Sequence, residues 1–105
     1  DASISEEMAC WGYDFIWIDA EHGPFDKEKI LQSIVAANNA GAAAIVRVTV
    51  NDPAFIKPVL EMGPDGVISP MVCTREEAQR FADACLYPPK GARGFGPRRF
   101  THRPD

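Results

Sequence analysis

The sequence predicts an α/β fold built on a parallel sheet, and three observations carry that prediction. Short apolar, β-rich runs begin near residues 14, 44 and 66. Each is followed by a stretch with helical spacing and its own capping residue, the alternation expected of βαβ units joined by right-handed crossovers. Finally, the run Tyr13-Asp14-Phe15-Ile16-Trp17-Ile18 ends abruptly in Asp19-Ala20-Glu21-His22-Gly23-Pro24. A strand looks like this where it delivers polar side chains at its carboxyl end, the end at which α/β proteins bind ligands. Periodicity alone does not separate a piece of closed barrel from a piece of open sheet.

Residues 4–11 carry Ile4, Met8 and Trp11 at helical spacing, with Gly12 placed to close the helix. Residues 15–18 are apolar on both alternating faces, which predicts a first strand covered on both sides. Gly23-Pro24 ends it. A helix follows over 27–40, with Asp26 as N-cap, Ile30, Leu31, Ile34 and Val35 as its buried stripe, and Gly41 just past its end. The second strand, 44–50, is β-branched apart from Ala44 and Arg47. Asn51-Asp52-Pro53 opens the next helix, with Asp52 as cap and Pro53 in the first helical position. Phe55, Ile56, Val59 and Leu60 form its apolar face, and Gly63 ends it. Pro58 lies beyond the free first turn, so its ring should clash with the carbonyl of Ala54, predicting a kink or a loosened first turn.

The third strand is short, over 66–71, with Pro70 near its end. Thr74-Arg75-Glu76-Glu77 reads as a capping box opening a helix that continues through Ala78, Phe81, Ala82 and Cys85, until Tyr87-Pro88-Pro89 stops it. The stretch 90–105 is rich in Gly, Pro and Arg without period, and is expected to be a loop or disordered.

The composition, 46% apolar and 25% charged, suits a globular chain and argues against disorder. The 105 residues fit one small domain and fall short of the about 250 that a closed eight-stranded barrel takes. A net charge of −4 gives no general attraction to nucleic acid or to an anionic membrane. No apolar run approaches the roughly 20 residues of a membrane span, and the acidic, polar first residues do not read as a signal peptide. Cys10, Cys73 and Cys85 are odd in number and far apart, so neither a disulfide frame nor a zinc knuckle is indicated. Thiols of this kind suit a reducing cytosol, and a cytoplasmic location is expected. The chain has no initiating Met and starts inside a helical pattern, so residues 1–105 are expected to be a single incomplete domain of a longer protein.

Four residues invite chemistry. Arg47 sits inside Ile45-Val46-Arg47-Val48, where an unpaired charge would be costly. Parallel pairing with the first strand would bring it close to Asp19 and Glu21, either as an ion pair fixing register or as a cation aimed at developing negative charge. His22, just past a strand end, offers an imidazole to solvent and ligand as a general base, although a lone His in a loop is often a bystander. Asp19 and Glu21 should face the same way as Trp17, while His22 leaves with Ala20 unless the turn rotates it. Acid-rich strand ends of this kind also serve as metal ligands or as caps. The glycines and arginines of Gly91-Ala92-Arg93-Gly94-Phe95-Gly96-Pro97-Arg98-Arg99 match no dinucleotide or P-loop pattern and read as a loop with solvated arginines, and His102 reads as a bystander.

Trp17-Ile18-Asp19-Ala20-Glu21-His22-Gly23-Pro24-Phe25-Asp26 resembles the signature of the metal-dependent 2-oxo acid aldolases, the HpcH/HpaI family. The likeness continues through Val46-Arg47-Val48, Asn51-Asp52-Pro53 and residues 56–63 and 66–71. It resumes in Tyr87-Pro88-Pro89-Lys90-Gly91 and Arg93-Gly94-Phe95-Gly96-Pro97. The resemblance implies a partial (β/α)8 TIM barrel of about three parallel strands with their helices. It implies His22 as the catalytic base and Arg47 as the cation that stabilises an enolate. Asp19 would be a carboxylate near the metal and its waters. Glu61 would stand where the family often has an Asp that raises the basicity of the histidine, one methylene longer here.

The family's metal carboxylates and its substrate-contacting Gln would lie beyond Asp105, so no metal ligand is expected in this chain. The implied function is that of a class II aldolase, a carbon–carbon lyase. It would cleave 4-hydroxy-2-oxo acids to a pyruvate-type 2-oxo acid and an aldehyde through a metal-bound enolate, with Mg2+, Mn2+ or Co2+ in the intact protein. The intact protein is expected to be a homo-oligomer without nucleic-acid or membrane partners, and the 105-residue chain alone to be inactive. Citryl or malyl thioester lyase chemistry on the same scaffold, and a non-catalytic half-barrel that binds partners, are the rival expectations.

Overall fold

A computed structural model describes residues 1–96 and residue 99. The elements run α1 (Ala2–Cys10), β1 (Phe15–Asp19), α2 (Lys27–Asn39), β2 (Ala43–Arg47), α3 (Pro53–Glu61), β3 (Gly66–Ile68) and α4 (Arg75–Cys85). The strands form one parallel sheet in the order β1-β2-β3. This is the α/β alternation that the sequence predicts. The register sets Phe15 opposite Ala43 and Asp19 opposite Arg47, while Arg47 in turn faces Ile68. Beyond the strand bounds, the N–H of Val48 still donates to the carbonyl of Ile68, at 2.9 Å.

One face of the sheet is sealed. Ile16 and Ile18 of β1, Ala44 and Val46 of β2 and Val48 just past its end pack with Ile30, Ile34 and Ala37 of α2, Ile56 and Val59 of α3 and Ala84 of α4 in a single core. The other face is open, because Phe15 and Trp17 remain 53% and 50% exposed. The sequence expectation of a first strand covered on both sides is therefore corrected. Its alternate residues are apolar on both faces, but helices pack on only one of them among the described residues.

The caps are those the sequence marks. The carboxylate of Asp26 accepts from the N–H of Lys29, and that of Asp52 from the N–H of Ala54. At α4 the Thr74 hydroxyl accepts from the N–H of Glu77 while the Glu77 carboxylate accepts from the N–H groups of Thr74 and Cys73. Those two donors pull the Glu77 carboxyl below its ordinary pKa. Gly63, at φ 71°, turns the chain out of α3.

Three expectations shift. The buried stripe of α2 is Ile30, Ser33, Ile34 and Ala37, and Leu31 is exposed. Pro58 is accommodated inside α3, whose first turn is not loosened: the N–H groups of Phe55 and Ile56 both reach the carbonyl of Asp52, at 2.9 and 3.0 Å. The third strand stops at Ile68, short of Pro70, and Met71 takes a positive φ of 56°.

At the end of the sheet where the strands begin, Asp65 ties α2 to β2. Its carboxylate accepts from the Asn38 amide at 2.8 Å and from the N–H of Ala44 at 2.7 Å. Arg99 donates to the carbonyls of Met62 and Gly63, capping the C-terminal end of α3. Arg93 stacks over Tyr87 and faces Glu61, so neither arginine is the solvated loop residue expected. No helix or strand is assigned over 90–96, as expected of a loop. The rest of that stretch, including Arg98 and His102 but not Arg99, lies outside the described residues. Among the described residues no helix is long and apolar enough to cross a membrane.

Candidate active site

The site is built at the ends of β1 and β2. Asp19 is the last residue of β1 and Arg47 the last of β2, and the parallel register places them side by side. Strand alternation aims both toward the open face, since their neighbours Ile18 and Val46 point into the core. Arg47 grips Asp19 with two hydrogen bonds, Nε to Oδ1 at 3.0 Å and Nη2 to Oδ2 at 2.6 Å. The guanidinium also lies 5.8 Å from the centre of the Trp17 ring, on the same face.

Asp19 organises the turn as well as the cation. Its Oδ1 accepts from the backbone N–H of Glu21 at 3.0 Å and of His22 at 3.2 Å, and its carbonyl accepts from the N–H of Gly23 at 3.1 Å. A side chain at position 23 would bring its Cβ to 2.1 Å from that same carbonyl oxygen, so only glycine closes the turn without displacement. The hydrogen bonds from Arg47 hold the Asp19 carboxyl well below the usual carboxylate range. Burial opposes them, and the N–H groups of His22 and Glu21 reinforce them. The same pair raises the pKa of Arg47.

His22 therefore stands on a turn whose backbone is tied to Asp19, and Asp19 is held by Arg47. All three gather at the mouth of the sheet. The imidazole is 73% exposed, and its Nε2 lies 2.5 Å from Oε1 of Glu21. Sequence reasoning put Glu21 near Arg47 but gave it no place beside His22. Its signal was local: an Asp two residues before it can bond both following N–H groups, and so rotate Glu21 and His22 together. Beside Glu21 a cavity of about 370 Å³ opens, lined also by Thr49, Asn51, Met71, Glu77 and Arg80. Met71, strained at positive φ and largely exposed, stands on its rim.

Glu61 is not brought to this cluster. It is the last residue of α3, a helix that starts near the mouth and runs back toward the opposite end of the sheet. There it lies 3.7 Å from the guanidinium of Arg93, with both partners largely buried. The expectation that it partners His22 is thus not met within this chain.

The described residues do not assemble a metal site on their own. No group of three or more His, Cys, Asp and Glu side chains among them could hold an ion. The donor chemistry agrees, because both oxygens of Asp19 are committed to Arg47.

Comparison with known proteins adds to this geometry. The model of the family described as HpcH/HpaI aldolase/citrate lyase matches residues 1–101. A hydroxypyruvate/pyruvate aldolase of Rhizorhabdus wittichii is 44% identical over 95 residues, which are 90% of this chain and 38% of that protein. Among solved structures, an HpcH/HpaI aldolase/citrate lyase family protein from Burkholderia cenocepacia superposes with a TM-score of 0.87. It is 28% identical and covers 91% of this chain and 40% of its own. The citrate synthase SbnG gives a TM-score of 0.86 at 38% identity, over 90% of this chain and 39% of its own. The chain thus spans about two fifths of the length of the relatives it matches.

Proposed function

The chain belongs to the HpcH/HpaI aldolase/citrate lyase family, and on that premise we propose that it is part of an aldolase cleaving 4-hydroxy-2-oxo acids. The products are a pyruvate-type 2-oxo acid and an aldehyde. One observation carries the reading: a guanidinium held by two hydrogen bonds and an imidazole-bearing turn share the carboxylate of Asp19 at the mouth of a parallel sheet.

Arg47 has five N–H donors and gives two to Asp19, which leaves three for a ligand. Because Asp19 fixes the plane of the guanidinium, those donors are oriented before a substrate arrives. Pre-oriented donors of this kind stabilise negative charge as it develops. His22 accepts the proton of the substrate's 4-hydroxyl, directly or through one water. The bond between C3 and C4 then breaks, the aldehyde leaves, and the electron pair passes to the enolate oxygen facing Arg47. Protonation at C3 completes the 2-oxo acid.

A divalent cation such as Mg2+, Mn2+ or Co2+, held by residues outside those described, belongs to this reading and supplies Lewis-acid polarisation of the 2-oxo acid. A cytoplasmic homo-oligomer is the setting it implies for the whole protein.

The test is release of pyruvate from 4-hydroxy-2-oxo acids by the longest chain carrying these residues, followed by NADH oxidation through a coupled lactate dehydrogenase. Cleavage that depends on Arg47 and His22 supports the reading. Absence of cleavage in both directions overturns it, as does a strict requirement for a coenzyme A thioester, which would mark the related thioester-lyase chemistry.

A further inference from the structure

We propose that Thr49 is a positioning residue for His22: its hydroxyl holds, from the β2 side, the peptide that leads into the His22 turn, and so sets where the imidazole stands relative to Arg47. This deepens the reading of His22 as a base and rests on it.

Within the turn, the N–H groups return to Asp19. Its Oδ1 accepts from Glu21 and His22, and its carbonyl accepts from Gly23. Those bonds shape the turn but do not tie it to β2, the strand that carries Arg47. Ala20 is where the turn meets β2. Its N–H donates to the carbonyl of Arg47 at 3.0 Å. Its own carbonyl accepts from the Thr49 hydroxyl at 3.1 Å. The direction of that bond is fixed, because a carbonyl oxygen only accepts and the hydroxyl must supply the proton.

The carbonyl of Ala20 and the N–H of Glu21 belong to one peptide unit, which is planar and points the two groups in opposite directions. Thr49 holds the carbonyl, and Asp19 Oδ1 holds the N–H at 3.0 Å. The two anchors stand on different strands: Asp19 ends β1, and Thr49 lies two residues past the end of β2. Rotation of this plane would break both bonds and carry Glu21 and His22 with it. Without the Thr49 hydroxyl only one end is held. The imidazole of His22 is 73% exposed, so its place is set by its backbone more than by packing. A base and a cation that act on one substrate need that place to be exact, since displacements of about 1 Å already cost rate. The pair of Asp19 and Arg47 aligns side chains of the two strands, and Thr49 aligns the backbone beyond them.

The test has two arms. In the 105-residue chain, amide hydrogen exchange is followed by NMR for the native protein, Thr49→Val and Thr49→Ser. Valine keeps the branched shape and removes the donor, and serine keeps the donor. Thr49→Val should speed exchange at the amides of Glu21 and His22 by about 2- to 10-fold, the range expected for loss of one net hydrogen bond. Thr49→Ser should return the native rates. Unchanged exchange along the ladder between β1 and β2 separates this effect from unfolding. In the longest chain carrying these residues, Thr49→Val should lower kcat for carbon–carbon cleavage by a similar factor and leave KM unchanged, and serine should rescue it. Exchange at Glu21 and His22 indifferent to Thr49→Val overturns the proposal, and so does a native kcat in Thr49→Val. If exchange follows Thr49 but the native chain cleaves no substrate, the functional reading falls and the hold on the turn stands. Cleavage with exchange indifferent to Thr49 has the opposite meaning.

Discussion

Four hydrogen bonds converge on the carboxylate of Asp19, two from Arg47 and two from the turn that carries His22. Replacing Arg47 by Ala removes both the pre-oriented donors and the partner that fixes Asp19. Where single donors to a developing oxyanion have been removed, rates fall about 10²–10³-fold, and a loss of that order in kcat is expected for Arg47→Ala. Acid sensitivity follows from the same pair. Because Arg47 lowers the folded-state pKa of Asp19 from its ordinary value of 3.8, the stability contributed is complete above about pH 4. It is lost as the pH falls through the lowered folded-state value. Thermal unfolding of Asp19→Asn below pH 4 should accordingly show a flatter decline than that of the native chain. This pairing was legible in the sequence, since parallel register alone puts the ends of two adjacent strands together. The place of Glu61 was not. Position 61 matches a family pattern, but a helix returning from a strand ends at the wrong end of the sheet, a constraint that no local motif records.

Helices were read from caps and apolar spacing, and the caps proved the better guide. Asp26, Asp52 and Thr74 each accept the hydrogen bond that their positions promise. Thr74→Ala is expected to cost about 0.5–2 kcal/mol, measurable as a lower urea midpoint. Apolar spacing misled in α2, where the largest side chains were taken for the buried face. Ile30 and Ile34 are buried as expected, but the small residues Ser33 and Ala37 share that face, and α1 likewise buries its small residues Ser5 and Ala9. Leu31, one position off, is left at the surface. In α3 the surprise is tolerance: Pro58 has no N–H for the carbonyl of Ala54, yet the helix continues to Glu61. Pro58→Ala should restore that bond and raise stability by about 1–3 kcal/mol in equilibrium unfolding.

Across the whole molecule, one sheet face is sealed by helices and the other carries Phe15 and Trp17 half exposed beside Asp19 and Arg47. Strand alternation was plain in the sequence, but whether the second face is covered depends on what packs there, and a run of apolar residues looks the same in both cases. Exposed apolar sheet surface next to unpaired strand edges favours association. Light scattering over a concentration series should show the native chain self-associating, and Phe15→Lys should reduce that association without altering helix content.

The pairing of Asp19 with Arg47 has a consequence for folding fidelity. A slip of one residue between β1 and β2 turns apolar side chains outward and is rejected at once, whereas a slip of two keeps every residue on its proper side. Hydrophobicity is blind to that second error; the charged couple is not, because it can close in only one alignment. A lineage drifting toward other substrates must therefore keep this couple, or find a different way of counting along the ladder.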